Sequence, residues 1–300
     1  MAISTAFQQL LDAIPDGLNA PSDDVATVRE KMAPLHGHEL PAQASVELLQ
    51  IGERAAAWVN RDDLRQPGRH ALFCHGGGFV SVRMPEYLFW AEYVARYLGA
   101  RTLVPDYRLA PEAAFPAALD DCFAAYCWML EQDIDPQTIV ITGDSCGGGL
   151  AAAVMLKAVA QGLPVPGCHV GFTGWYDLTL PGASGIDPGG RDPFITPGWY
   201  QRRVKDYLAG ADPRLPLASP AQADCEGLPP LLLQVGGCDI TRDSAVAMAA
   251  AAGADGVQVE LQIWAGMPHG FQGLVGSEIP EAISAFKSAR QFVDKHLTSH

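Results

Sequence analysis

A chain of 300 residues with 48% hydrophobic and 18% charged residues can form one large α/β domain or two smaller ones around a sizeable core. Its formal net charge of −14 and pI near 4.8, with Lys and Arg scattered rather than run together, exclude nucleic acid and a stable membrane association as expected partners. The first ten residues lack the charged and apolar regions of a secretory signal, no apolar window is long enough to span a bilayer, and an odd count of seven cysteines predicts free thiols in a reducing cytoplasm.

In chain order, helical patterns at Phe7–Ile14 and Asp24–Met32 precede any strand. Strands are predicted at Val46–Ile51, Ala55–Asn60, Ala71–Cys74, Thr102–Pro105, Ile139–Thr142, His169–Thr173, Leu231–Val235 and Val257–Ile263. Helices are predicted between them at Glu86–Leu98, Ala117–Gln132, Gly147–Gln161, Ser244–Ala252 and Ala282–Leu297. This alternation implies βαβ units and a mostly parallel sheet covered on both faces. The first two strands follow one another without a helix and should form an antiparallel edge. From Gly174 to Pro229 no strand is evident. Gly and Pro are frequent there, as in Pro181-Gly182, Asp187-Pro188-Gly189-Gly190 and Pro197-Gly198, and only Gly198–Ala209 reads as a helix. That stretch is too long for a crossover loop. It is expected to lie over the carboxyl edge of the sheet, joined there by the N-terminal helices.

The sharpest motif is Gly143-Asp144-Ser145-Cys146-Gly147, set between a predicted strand and an Ala-rich helix. Gly-x-Ser-x-Gly in that setting makes a nucleophile elbow, exposing the Ser hydroxyl at a helix N-terminus where developing negative charge is favoured. Next comes His75-Gly76-Gly77-Gly78-Phe79, directly after a strand. Three successive glycines cost conformational entropy and bare the backbone. Bared N–H groups can hold the oxyanion of a tetrahedral intermediate, and Gly77, Gly78 and Cys146 are the expected donors. His75 reads as shaping this loop rather than as a base. No P-loop Lys follows the glycines, and Cys122 and Cys127 do not have zinc spacing, so neither a phosphate cradle nor a metal site is indicated.

A Ser needs a base, and the base needs an orienting acid. Of eight histidines, His269 lies in the loop after the last predicted strand, in Met267-Pro268-His269-Gly270-Phe271, whereas His169 begins a strand and suits a structural role. The chain order Ser, acid, His then puts the acid after Leu231–Val235, in Gly236-Gly237-Cys238-Asp239-Ile240-Thr241-Arg242-Asp243. Asp239 sits nearer the strand end, while Asp243 belongs to the first helical turn, where an Asp is favoured regardless of catalysis. Asp239 is the candidate and Asp243 its rival.

These residues, with Asp106-Tyr107-Arg108-Leu109-Ala110-Pro111-Glu112, Phe115-Pro116-Ala117-Ala118, Asp177-Leu178-Thr179, Ala218-Ser219-Pro220 and Gly227-Leu228-Pro229-Pro230, resemble the hormone-sensitive-lipase-like (bacterial family IV) carboxylesterases of the α/β-hydrolase superfamily. The resemblance runs from about residue 45 onward. It implies a single domain with an eight-stranded α/β-hydrolase core. A helical cap is implied from about 1–42 and 174–229. It further implies a Ser145–Asp239–His269 triad and cofactor-free hydrolysis of short to medium acyl esters. Tyr107, Arg108 and Glu112 are implied to support the glycine loop. Position 146 is Cys where the family usually has Ala, so a thiol could narrow the pocket or expose the site to oxidation. Two other activities fit the same residues: lactone hydrolysis by the same triad and, at a greater distance, a non-catalytic ligand receptor. The aromatic segments at Met84–Trp90, Trp175-Tyr176 and Trp199-Tyr200 fit either a bulky apolar pocket or ordinary core. A homodimer is left open.

Overall fold

The computed structural model describes residues 3–14, 19–179 and 192–297. The turns predicted at 181–182 and 187–190, and His300, lie outside them. Among the described residues one sheet is built from β1 (Ser45–Ile51), β2 (Arg54–Asn60), β3 (His70–Cys74), β4 (Arg101–Pro105), β5 (Ile139–Asp144), β6 (Cys168–Phe172), β7 (Leu231–Gly236) and β8 (Val259–Trp264). Their order is β1-β2-β4-β3-β5-β6-β7-β8. β1 and β2 pair antiparallel, as do β2 and β4, and every later pair is parallel. The antiparallel edge therefore reaches one pairing further in than the sequence suggested.

β5 and β7 are buried along their whole length, as apolar runs between two helical layers must be. The layers are supplied by α3 (Met84–Leu98) and α8 (Pro280–His296) on one face, through Trp90 and Phe286. On the other face lie α4 (Ala117–Glu131), α5 (Cys146–Ala160) and α7 (Arg242–Ala254), through Leu119, Leu150 and Met248. α5 is apolar all round and almost entirely buried, the pattern of a central helix. Two predicted boundaries move for local reasons. α3 starts before Glu86 because Pro85 is tolerated in a first turn and the Glu86 carboxylate accepts the Arg83 N–H (2.6 Å). β8 starts after Val257 because that residue's N–H closes the end of α7 on Ala252 O (2.9 Å).

β3 is flanked by β4 on one side and β5 on the other, so strand order reverses there. Such a switch point opens a crevice at the carboxyl ends of the strands. Over that end lie α1 (Thr5–Ala13), α2 (Val25–Met32) and α6 (Pro197–Leu208), capped by Ser4, Asp24 and Thr196 respectively. Asn19 Nδ2 donates to Phe194 O (2.5 Å), and Arg202 and Arg203 donate to Ser22 O and Asp23 O (3.1 Å each). Arg203 is wholly buried and pairs with Asp206 at 2.8 Å. α1 is fastened to α8 by Ser4, whose N–H and hydroxyl donate to Glu281 at 2.7 and 2.9 Å. Among the described residues no helix is long and apolar enough to cross a membrane.

Candidate active site

Ser145 occupies the sharp turn between β5 and α5 with φ 53° and ψ −130°, a strained backbone for a residue bearing a side chain. The turn closes only because its neighbours are bare. A Cβ on Gly143 would meet Gly147 O at 2.3 Å, and one on Gly147 would meet Cys74 O at 2.0 Å. The Ser145 N–H donates to Phe172 O (2.9 Å), and its carbonyl accepts from Gly148 and Trp175 N–H (3.0 Å each). Strain held on both sides of the residue leaves the hydroxyl pointing into the crevice.

His269 Nε2 lies 2.9 Å from Ser145 Oγ, and Nδ1 lies 3.0 Å from Asp239 Oδ1. With the proton on Nδ1, that nitrogen donates to Asp239 while Nε2 accepts from the Ser145 hydroxyl. Asp239 Oδ1 is itself fixed by the Thr241 N–H and hydroxyl (2.8 Å each). Asp243 is elsewhere: it lies in the first turn of α7 and pairs with Arg242 at 3.1 Å. Burial, the largest influence on His269, works against protonation. Asp239, then Asp192 and Asp144, outweigh it, and the imidazole is held above its ordinary 6.5.

The three expected oxyanion donors share a construction. The carbonyl before each one is anchored by the protein, and in a trans peptide the N–H points the opposite way. Gly76 O accepts from His75 Nδ1 (2.9 Å) and the Tyr107 hydroxyl (3.3 Å), which directs the Gly77 N–H away from them. Gly77 O accepts from Val80 N–H, Ser81 N–H and the Ser81 hydroxyl at 2.8 to 3.2 Å, which sets the Gly78 N–H. Ser145 O, anchored as above, sets that of Cys146. Gly77 and Gly78 have φ of 105° and 60°, which side chains rarely adopt. Gly77, Gly78, Ser145 and His269 line one cavity of about 750 Å³.

The walls of that cavity divide the aromatic residues. Tyr87, Phe89, Trp90 and Trp199 line it, whereas Trp175, Tyr176 and Tyr200 are buried in the core behind it. Leu10, Ala13 and Ile14 from the N-terminal segment and Phe194 and Ile195 before α6 add to the apolar lining.

Several sequence expectations move. Of Tyr107, Arg108 and Glu112, only Tyr107 touches the glycine loop, through its 2.7 Å bond to His75 O. Arg108 pairs with Asp121 on α4 and Glu112 with Arg29 on α2, so both tie the following loop to helices instead. The Cys146 side chain forms no part of the cavity wall. Its thiol is buried under the glycine loop, accepts the Phe79 N–H (3.2 Å), and is pushed up to about 12 by burial, so it is no reactive thiolate. His75 stacks on Tyr107 at 4.0 Å, and burial holds it down at about 4; His169 is buried between Ile141 O and the Tyr176 hydroxyl.

Two carboxylates were missed. Asp144, inside the motif itself, accepts the Gly76 N–H and the Tyr87 hydroxyl (2.8 Å each) and so pins the glycine loop to the elbow. Burial pushes it up to about 7. Its place between Gly143 and Ser145 was the only signal. Asp192 reaches the His269 loop and had no signal beyond an Asp-Pro turn. Asp192, Asp239 and His269 bring ligand-type atoms within 4.8 Å of one another, a spacing that could hold a cation. Here His269 Nδ1 is bonded to Asp239 Oδ1 and both Asp192 oxygens accept N–H groups, while Asp239 Oδ2 is buried with no hydrogen-bond partner among the described residues.

Residues 71–273 match the family model described as alpha/beta hydrolase fold. The chain belongs to the α/β hydrolases. It is 38% identical to an acetyl-hydrolase of Streptomyces hygroscopicus over 223 residues, 74% of each chain. A crystal structure of an esterase from the bacterial hormone-sensitive lipase family superposes with a TM-score of 0.91 at 34% identity, covering 99% of this α/β hydrolase and all of that chain (100%). EstE5 soaked with p-nitrophenyl butyrate superposes at 0.88, also 34% identical, covering 98% and 99%. Within the superfamily this α/β hydrolase is a hormone-sensitive-lipase-like enzyme of the esterase type.

Proposed function

We propose that the protein is a serine carboxylic-ester hydrolase acting on short to medium acyl esters through an acyl-enzyme. The observation that carries this reading is the continuous hydrogen-bonded line from Ser145 Oγ through His269 to Asp239. As the Ser145 oxygen attacks the ester carbonyl, His269 Nε2 takes its proton, and Asp239 stabilises the imidazolium and holds its tautomer. The carbonyl oxygen becomes an oxyanion facing the N–H groups of Gly77, Gly78 and Cys146, each such donor being worth about 3 to 4 kcal/mol of barrier lowering. His269 then protonates the leaving alkoxide. Water, deprotonated by the same imidazole, releases the acid and restores Ser145. No step calls for a cofactor.

The N-terminal elements and the segment containing α6 serve in this reading as a cap that forms the substrate cavity. The bonds joining Asn19, Ser22 and Asp23 to that segment support it. The odd cysteine count supports a cytoplasmic setting.

Purified protein should hydrolyse p-nitrophenyl butyrate, and Ser145→Ala should abolish turnover while leaving the melting temperature within a few degrees. Retained turnover in that variant sinks the proposal. A panel of linear esters against lactones of varied ring size then fixes the substrate, with linear esters expected to be faster.

A further inference from the structure

The Asp192 carboxylate holds two things at once. Its Oδ2 accepts the main-chain N–H of His269 (3.0 Å), across 77 residues of sequence. Its Oδ1 accepts the N–H groups of Phe194 (2.9 Å) and Ile195 (3.2 Å), two residues that line the substrate cavity. The carboxylate is itself buried, at 9% exposure. His269 stands in a short loop, with Gly270 at φ 65° after it, and its ring is hydrogen-bonded at its two nitrogens, by Asp239 and Ser145. A ring fixed at its nitrogens still swings if its backbone shifts, and a displacement of about 1 Å can cost a hundredfold in rate.

We propose that Asp192 is a positioning residue that anchors the His269 backbone to the cavity wall, so that the wall and the catalytic base move as one body. The proposal rests on the reading of Ser145, His269 and Asp239 as a triad. Asp192 touches no reacting atom. It fixes where the imidazole starts, while Asp239 fixes where it points. All three of its partners are N–H donors, so an amide in its place must turn its own N–H₂ toward one of them and lose that bond.

Asp192→Asn and Asp192→Ala test this on the full chain. Each should lower kcat for p-nitrophenyl butyrate ten- to a hundredfold with KM within about threefold, while the melting temperature stays within a few degrees. A second readout needs no turnover: the low-field proton resonance of His269 Nδ1–H should be present in the parent protein and broaden or disappear in both variants. Unchanged kcat with an unchanged resonance overturns the proposal. So does a loss expressed mainly in KM, which would make Asp192 part of the wall alone. If neither variant melts cooperatively, Asp192 is a folding element and the proposal also fails. Should Ser145→Ala retain turnover, the esterase reading falls, and the resonance still reports whether Asp192 holds His269.

Discussion

Three buried carboxylates face His269, and together they overcome a burial that would otherwise keep its imidazole neutral. The consequence has a definite sign. In the proposed role of general base His269 works only when unprotonated, and its imidazole is raised above 6.5, so kcat/KM should fall as pH drops through a value above 6.5. A pH profile with its acid limb at or below 6 would contradict that balance. The division of labour between the two aspartates after β7 is testable too. Asp239→Asn replaces the carboxylate that would stabilise the imidazolium with a neutral amide and should cost roughly 10⁴ in kcat. Asp243→Asn disturbs only a pairing with Arg242 and should stay within about twofold. That Ser145, Asp239 and His269 come together was legible because each sits in a short run tied to a strand end. Asp192 and Asp144 were not, because their meaning lies in partners 77 and 68 residues away.

Elements were legible where side chains alone decide them. The apolar runs of β3, β5 and β7 must be buried on both faces, and the Ala-rich pattern of α5 can only be a packed helix. Where an end is settled by a hydrogen bond to another element, as at Val257 on α7, sequence periodicity misses it by a residue or two. The same logic makes the β3–β5–α5 junction the least forgiving place in the fold. Gly147 lies against the backbone of Cys74 and His75, with a Cβ 2.0 and 2.5 Å from their carbonyl oxygens. Those atoms belong to the end of β3 and the start of the glycine loop and cannot step aside. Gly147→Ala should therefore destabilise the protein by about 3 kcal/mol or more and lower its melting temperature by several degrees. Gly253→Ala, on α7 with nothing within 4 Å of the added methyl, should be neutral or slightly stabilising in the same melt.

At the scale of the molecule, the chemistry and its substrate cavity come from opposite kinds of segment. The groups to which the proposal assigns the reaction stand on loops at the ends of β3, β5, β7 and β8, held by a sheet that fixes them. The cavity walls come from the two stretches that broke the strand–helix rhythm, together with α3 and the 3₁₀ turn Phe271–Ser277. This separation explains why the grouping of Ser145, Asp239 and His269 could be read from motifs while the pocket could not, since no local pattern brings Leu10 and Trp199 to one cavity. It also means that acyl preference should be adjustable without touching the reacting atoms. Ala13 lies on the last turn of α1, on the cavity wall. Ala13→Trp adds bulk to an apolar space of about 750 Å³ without introducing a charge. The rate on p-nitrophenyl acetate should stay within about threefold of the parent, because the triad and the oxyanion donors are unchanged. The octanoate ester should lose tenfold or more in kcat/KM, since each methylene excluded from an apolar pocket is worth about 1 to 3 kcal/mol. Equal losses on both esters would mean that α1 acts on the catalytic loops instead of on the length of the pocket.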